Sequence, residues 1–142
     1  MSLPNLVHVD LSTNALRGSI PIFTSSTLES VNLSHNRFHG KLPEDVGKKM
    51  SGATILKVFD LKYNSITGSI PHSIGSMPAS LQQLDLSDNM LTGTIPESIG
   101  NLVLLEGLFL SNNRLSGRIP LSITRSHLML SQLFLQGNKL TG

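Results

Sequence analysis

Residues 64–75 read N-S-I-T-G-S-I-P-H-S-I-G, and residues 89–100 read N-M-L-T-G-T-I-P-E-S-I-G. Two strings that keep Asn, Gly, Pro and a final Gly in the same places, 25 positions apart, are copies of one unit. Upstream of each asparagine stands L-x-x-[LVF]-x-L, as in Leu81, Leu84 and Leu86. The whole unit fills residues 6–21, 28–43, 56–71, 81–96 and 105–120, and a sixth copy runs from Leu130 to Gly142. Asn14, Asn36, Asn64, Asn89, Asn113 and Asn138 stand in register, with spacings of 22, 28, 25, 24 and 25.

Each position of the unit has a physical reason. The L-x-L pair has the period of two of a strand with one buried face, so stacked copies predict a parallel sheet whose intervening residues face solvent. The asparagine follows where the chain leaves the strand, and its amide is suited to pairing orphaned backbone groups in that turn, a structural ladder. Gly18, Gly40, Gly68, Gly93 and Gly117 mark a left-handed or tight backbone position. The prolines that follow fix φ at the entry to an outer segment, P-x-x-[IV]-G, with room for one or two turns of 3₁₀ or α-helix. No unit buries its own apolar face; stability comes from its neighbours.

Composition agrees with this reading. The chain of 142 residues has 25 Leu, 20 Ser and 10 Asn, but only 14% charged and 4% aromatic residues. It contains no cysteine, which removes disulfides, thiolate zinc sites and cysteine nucleophiles together. The net charge of +2 comes from scattered residues with Lys48-Lys49 as the one basic pair, so the clustered basic footprint of a nucleic-acid binder is missing. No apolar run reaches the roughly 18 residues of a membrane span, and the start lacks the pattern of an export signal.

The strings quoted above, with N-R-L-S-G-R-I-P at residues 113–120, resemble the plant-specific leucine-rich repeat over essentially the whole chain. The resemblance implies an α/β repeat solenoid, a right-handed superhelix with a parallel sheet on the concave face and short 3₁₀ or α turns on the convex face. It also implies short extra β pairing at G-x-I-P. Proteins with this repeat are mainly ectodomains of receptor-like kinases and receptor-like proteins, with secreted polygalacturonase inhibitors beside them. Residues 1–142 are expected to form a single array of five complete repeats and a truncated sixth. The cysteine-bearing caps of such ectodomains are not recognisable, which suggests a fragment of a longer array. Residues 47–54 stretch one spacing to 28 and should bulge from the outer face as a longer loop or helix, a tolerated convex insertion, with a short basic contact site as the alternative.

Column by column, the alternate strand positions line the concave face. The central column is Asp10, Asn32, Asp60, Asp85, Phe109 and Phe134. Its flanks include His8 on one side and Lys62 on the other, and Tyr63 and Asp88 belong to the row that closes the strip. The strip is polar and acidic over four units and aromatic over the last two. An extended peptide with a basic group and an apolar anchor would suit it. Asn32-Leu33-Ser34 is the one N-x-[ST] sequon, so a glycan on Asn32 would project from this face in an exported product.

Catalytic patterns do not emerge. Among His8, His35, His39, His72 and His127 the one close pair is His35 and His39, whose spacing needs a helix to align on a metal, and both fall at a strand end or turn. Glu44-Asp45 opens an outer segment, no G-x-S-x-G elbow occurs, and the repeat accounts for the glycines a phosphate loop would need. The expectation is a non-catalytic recognition module without cofactor or metal. It would belong to the ectodomain of a plant cell-surface receptor in signalling or defence, on the extracellular side of the plasma membrane or in the apoplast. Its partners would be a peptide or protein ligand and a co-receptor, with no nucleic acid and no membrane contact by this segment. The alternatives are a secreted or intracellular protein that inhibits or scaffolds an enzyme, and a non-functional truncated fragment.

Overall fold

The computed structural model describes residues 3–124 and 129–142. In chain order the elements are β1 (His8–Asp10), β2 (Arg17–Gly18), β3 (Ser30–Asn32), β4 (Arg37–Lys41), α1 (Val46–Met50), β5 (Val58–Asp60), β6 (Ser65–Ser69), β7 (Gln83–Asp85), β8 (Met90–Thr92), β9 (Gly107–Phe109), β10 (Ser116–Arg118), β11 (Gln132–Phe134) and β12 (Lys139–Thr141). Single 3₁₀ turns at His72–Ser76, Glu97–Asn101 and Leu121–Thr124 complete the outer segments.

The L-x-L strands make one parallel sheet in the order β1-β3-β5-β7-β9-β11. They pair without stagger, so Val9, Val31, Phe59, Leu84, Leu108 and Leu133 share one inward row. Phe59 and Leu84, with a neighbour on both sides, are fully covered; of the two edge-strand residues, Val9 is 6% exposed and Leu133 keeps 40% of its surface.

Extra pairing at G-x-I-P is present, in a second sheet β2-β4-β6-β8 and a pair β10-β12. Its register slips by two residues per repeat, setting Arg17 beside Arg37, His39 beside Ser65, Thr67 beside Met90 and Ser116 beside Lys139. Bonds from the Arg114 and Ser116 N–H groups to the carbonyls of Leu91 and Gly93, each 2.8 Å, carry the row from β8 to β10.

One asparagine per unit stitches the turns. The Asn36 amide nitrogen donates to the carbonyls of Leu33 and Ser34 in its own unit and of Leu11 in the unit before, while its oxygen accepts the N–H of Leu16. Asn64, Asn89 and Asn113 repeat this with small changes of distance, and Asn138 bonds Leu110, Leu135 and Leu115. Asn14 donates only within its own unit, to Leu11 and Ser12.

On the outer face the 28-residue spacing is met by a helix, one of the two forms expected, but the helix does not bulge. Residues 46–50 form α1, whose Val46 and Met50 are sealed from solvent, as is Ala53 after it. A methyl group on Gly47 would overlap the Ser73 carbonyl oxygen, so α1 lies directly on the next unit's 3₁₀ turn. The extra residues are packed into the layer, and Lys48 and Lys49 face outward.

Candidate functional site on the concave face

The central column is built from residues with two duties. Asp10, Asn32, Asp60 and Asp85 each accept, through Oδ1, the backbone N–H two residues on, from Ser12, Ser34, Lys62 and Ser87 at 2.9, 3.1, 2.8 and 2.9 Å. These are Asx turns that close the strand ends. Sequence reasoning missed the duty, although D-L-S, N-L-S, D-L-K and D-L-S spell it out.

Burial then separates the carboxylates. Asp10 is exposed, Asp60 half-buried, and Asp85 only 8% exposed, its Oδ1 also accepting the Ser87 hydroxyl at 2.5 Å. The expectation that every central-column residue faces solvent therefore fails at Asp85, which is enclosed within its own turn. The bonds from the side chain and backbone of Ser12 hold the Asp10 carboxyl below its ordinary range. Burial pushes Asp60 the other way, with neighbouring Asp85 adding to it; the Lys62 N–H and the charges of Lys62 and His35 oppose the rise.

Two side-chain groupings stand on this floor. In the first, the His35 and Tyr63 rings lie 4.5 Å apart and the Lys62 ammonium sits 5.0 Å from the Tyr63 ring centre, within cation–π range. In the second, Phe109 and Phe134 stack at 5.2 Å with their planes 14° apart. The Phe109 ring covers Gly107, where an added Cβ would meet its Cε2 at 2.6 Å. Register places Phe109 directly beside Asp85, so the aromatic platform abuts the polar column.

The remaining expected positions are dispersed. His8 Nδ1 lies 2.8 Å from the Ser30 hydroxyl, and Asp88 accepts the Asn112 amide at 2.8 Å. Asn32 sits between Asp10 and Asp60 in register, with its amide nitrogen 3.4 Å from Asp10 Oδ2. His39 is on β4 and His72 opens a convex 3₁₀ turn, while His127 lies outside the described residues. Among the described residues no three His, Cys, Asp or Glu side chains are grouped to hold a metal ion.

A second feature was also missed. Thr13, His35, Tyr63, Asp88 and Asn112, each just before a ladder asparagine, adopt φ between 52 and 55°, and Gly137 takes 71° in the sixth unit. Asp, Asn and Gly, three of the residue types that best tolerate this conformation, already occupy half of that column.

A parallel-sheet solenoid with one inward L-x-L strand and one stitching asparagine per turn defines a leucine-rich-repeat protein. The chain belongs to that family: the leucine-rich-repeat family model matches residues 26–91, and a second matches residues 104–126. It is 41% identical over 70 residues to Receptor-like protein 13 of Arabidopsis thaliana, a match that covers 48% of this chain and 6% of that protein. Among solved structures it resembles the plant peptide hormone receptor RGFR1 in complex with RGF2, at TM-score 0.84 and 38% identity over 96% of this chain and 21% of that one. It also resembles the BIR2 ectodomain of Arabidopsis thaliana, at TM-score 0.77 and 31% identity over 94% of this chain and 68% of that one. The chain thus spans well under two thirds of the curated relative's length. Among the described residues no helix is long and apolar enough to cross a membrane.

Proposed function

We propose that this chain is part of the extracellular ligand-binding region of a plant cell-surface receptor, where its concave face receives an extended peptide or protein segment without catalysing a reaction. The observation that carries the reading is the aromatic platform of Phe109 and Phe134 set beside the polar column of Asp10, Asn32 and Asp60 on one continuous floor. Its likeness to receptor-like proteins and to a peptide hormone receptor supports the same assignment. The platform supplies an apolar anchor, the kind of contact that dominates binding energy. The carboxylates of Asp10 and Asp60 select a basic group and steer its approach. Lys62, Tyr63 and His35 close the strip beside Asn32 and Asp60, and a co-receptor is a further partner of the receptor as a whole.

Panning a random peptide display library against the chain tests this. Enriched peptides should share an apolar side chain and a basic residue, and replacing Phe109 and Phe134 together by Ala should weaken them by roughly 30-fold, a hot-spot loss of about 2 kcal/mol. Retained affinity in that double variant and in Asp60→Asn would overturn the reading.

A further inference from the structure

The second sheet carries a charge pattern the concave-face reading does not use. Six of the eleven Lys and Arg residues, Arg17, Arg37, Lys41, Arg114, Arg118 and Lys139, lie in the six short segments between each ladder asparagine and the following proline or chain end. Those segments contain no Asp or Glu. All six cations are exposed, and the ion pairs among the described residues, Lys49 with Asp45 and Lys57 with Glu29, lie elsewhere.

Register concentrates the charge instead of diluting it. The two-residue slip puts Arg17 directly opposite Arg37, an unfavourable like-charge cross-strand pair. His39 and Lys41 continue the exposed side of β4. At the other end Arg118 stands on β10 beside β12, which contributes Lys139, with Arg114 just before. Between the two ends, β6 and β8 present Ser65, Thr67, Ser69 and Thr92 with no charge. At about 4.8 Å per strand the cationic row spans about 24 Å from β2 to β12. The nearby carboxylate of Glu97 shares a groove of about 460 Å³ with Arg118 and already accepts the backbone N–H groups of Leu121 and Ser122.

We propose that this lateral face is a binding strip for a linear acidic polysaccharide. Two clusters of cations joined by a stretch of hydroxyl groups match a linear chain that carries carboxylates and sugar hydroxyls along its whole length. A protein partner would want an apolar centre with aromatic anchors. Here the one Phe, Tyr or Trp of the row, Phe38, is buried, and the exposed Leu16 and Ile119 stand at opposite ends. Arginine's planar fork also suits carboxylates held in a fixed row.

The test is binding of a labelled oligogalacturonate, long enough to reach from β2 to β12, to the full chain by fluorescence anisotropy. Binding should weaken as salt is raised, and a neutral oligosaccharide of equal length should not compete. Arg17→Gln with Arg37→Gln, and separately Arg114→Gln with Arg118→Gln, should each weaken binding roughly tenfold, the scale of one or two lost charge-assisted hydrogen bonds. Lys48→Gln with Lys49→Gln removes the same formal charge from the convex face and should leave binding unchanged. Circular dichroism checks the fold of each variant, and the two lateral pairs stand in for one another should either fail to fold. Equal losses in the lateral and convex variants, absence of binding, or stronger binding of a polyglutamate peptide would each overturn the proposal. None of these results depends on the concave face.

Discussion

The side-chain amide of Asn89 donates to the carbonyl oxygen of Leu61 in the preceding unit at 3.0 Å, and both groups are buried. The same nitrogen serves Leu86 and Ser87, and its oxygen accepts the N–H of Ile66, so one side chain joins two turns. Removing it strands buried backbone groups at about 1–3 kcal/mol each where water does not reach them. Asn89→Ala should cost at least about 3 kcal/mol, whereas Asn14→Ala, whose exposed amide bonds only its own turn, should cost less than about 1 kcal/mol. Urea unfolding followed by circular dichroism checks the contrast; equal losses at both positions would show that the cross-unit bonds contribute little.

Asp60 and Asp10 should make opposite contributions to the pH dependence of stability. Burial raises the folded-state pKa of Asp60, so the native state binds protons more tightly and stability falls as pH rises from the ordinary value of 3.8 through that raised value. Asn in its place can still accept the Lys62 N–H and is never charged. Asp60→Asn should therefore be more stable than the parent near neutral pH, with the advantage shrinking as pH falls through the raised value toward 3.8 and gone below it, where the parent carboxyl is protonated in both states. For Asp10, whose pKa is lowered, the stabilising contribution is present above 3.8 and lost as pH falls through the folded value. Urea midpoints measured across pH 2–7 should show the two slopes with opposite sign.

Two glycines in one stretch differ sharply in what they tolerate. A Cβ on Gly47 would overlap the Ser73 carbonyl oxygen, which is backbone and cannot swing aside, whereas one on Gly52 would find only the Thr24 carbonyl at 3.9 Å. Gly47→Ala should destabilise by about 3 kcal/mol, at the upper end of overpacking costs, and Gly52→Ala by less than about 0.5 kcal/mol. A tolerated Gly47→Ala would mean that α1 is free to lift off the 3₁₀ turn at His72–Ser76.

The aromatic platform can be disturbed without unfolding the sheet. Alanine at Gly107 places a methyl group against the far end of the half-buried Phe109 ring, a side chain that can give way where backbone could not. Gly107→Ala should change stability by less than about 1 kcal/mol while weakening the nuclear Overhauser contacts between the Phe109 and Phe134 rings. Unchanged ring contacts would show that the stack is set by β11 and not by the bare backbone beneath it.

The sequence made the solenoid readable because each unit repeats the same local solution. L-x-L names the inward row, G-x-I-P names the second pairing, and proline names the start of the outer turn. Asn14 and Asn89 are identical letters in that pattern, and their different burial arises only once a preceding unit lies beneath the second. The site was less legible for a related reason. Asp85 and Asp10 occupy one column, but Asp85 is bonded by both the N–H and hydroxyl of Ser87 in its own turn and stands between Asp60 and Phe109 on the two neighbouring strands, whereas Asp10 lies on an edge strand. That the outer helix would pack flat and not bulge was hidden similarly, because Gly47 gives no sign of its contact until Ser73 is set against it.

The left-handed column before each ladder asparagine carries a last prediction. Thr13 has φ of 55° and is β-branched, the side-chain class least suited to that region, whereas asparagine is enriched there. Its N–H still donates to the Ser34 carbonyl at 3.0 Å, so the conformation is held by the ladder and not by the threonine itself. The left-handed penalty for an ordinary residue is about 1–2 kcal/mol, and asparagine recovers part of it through local hydrogen bonding. Thr13→Asn should raise stability by about 0.5–1 kcal/mol, and Asn112→Thr should lower it by more, since it also removes the bond to Asp88. Paired urea titrations decide the matter: a loss in Thr13→Asn would show that the threonine methyl packs well enough to outweigh its backbone.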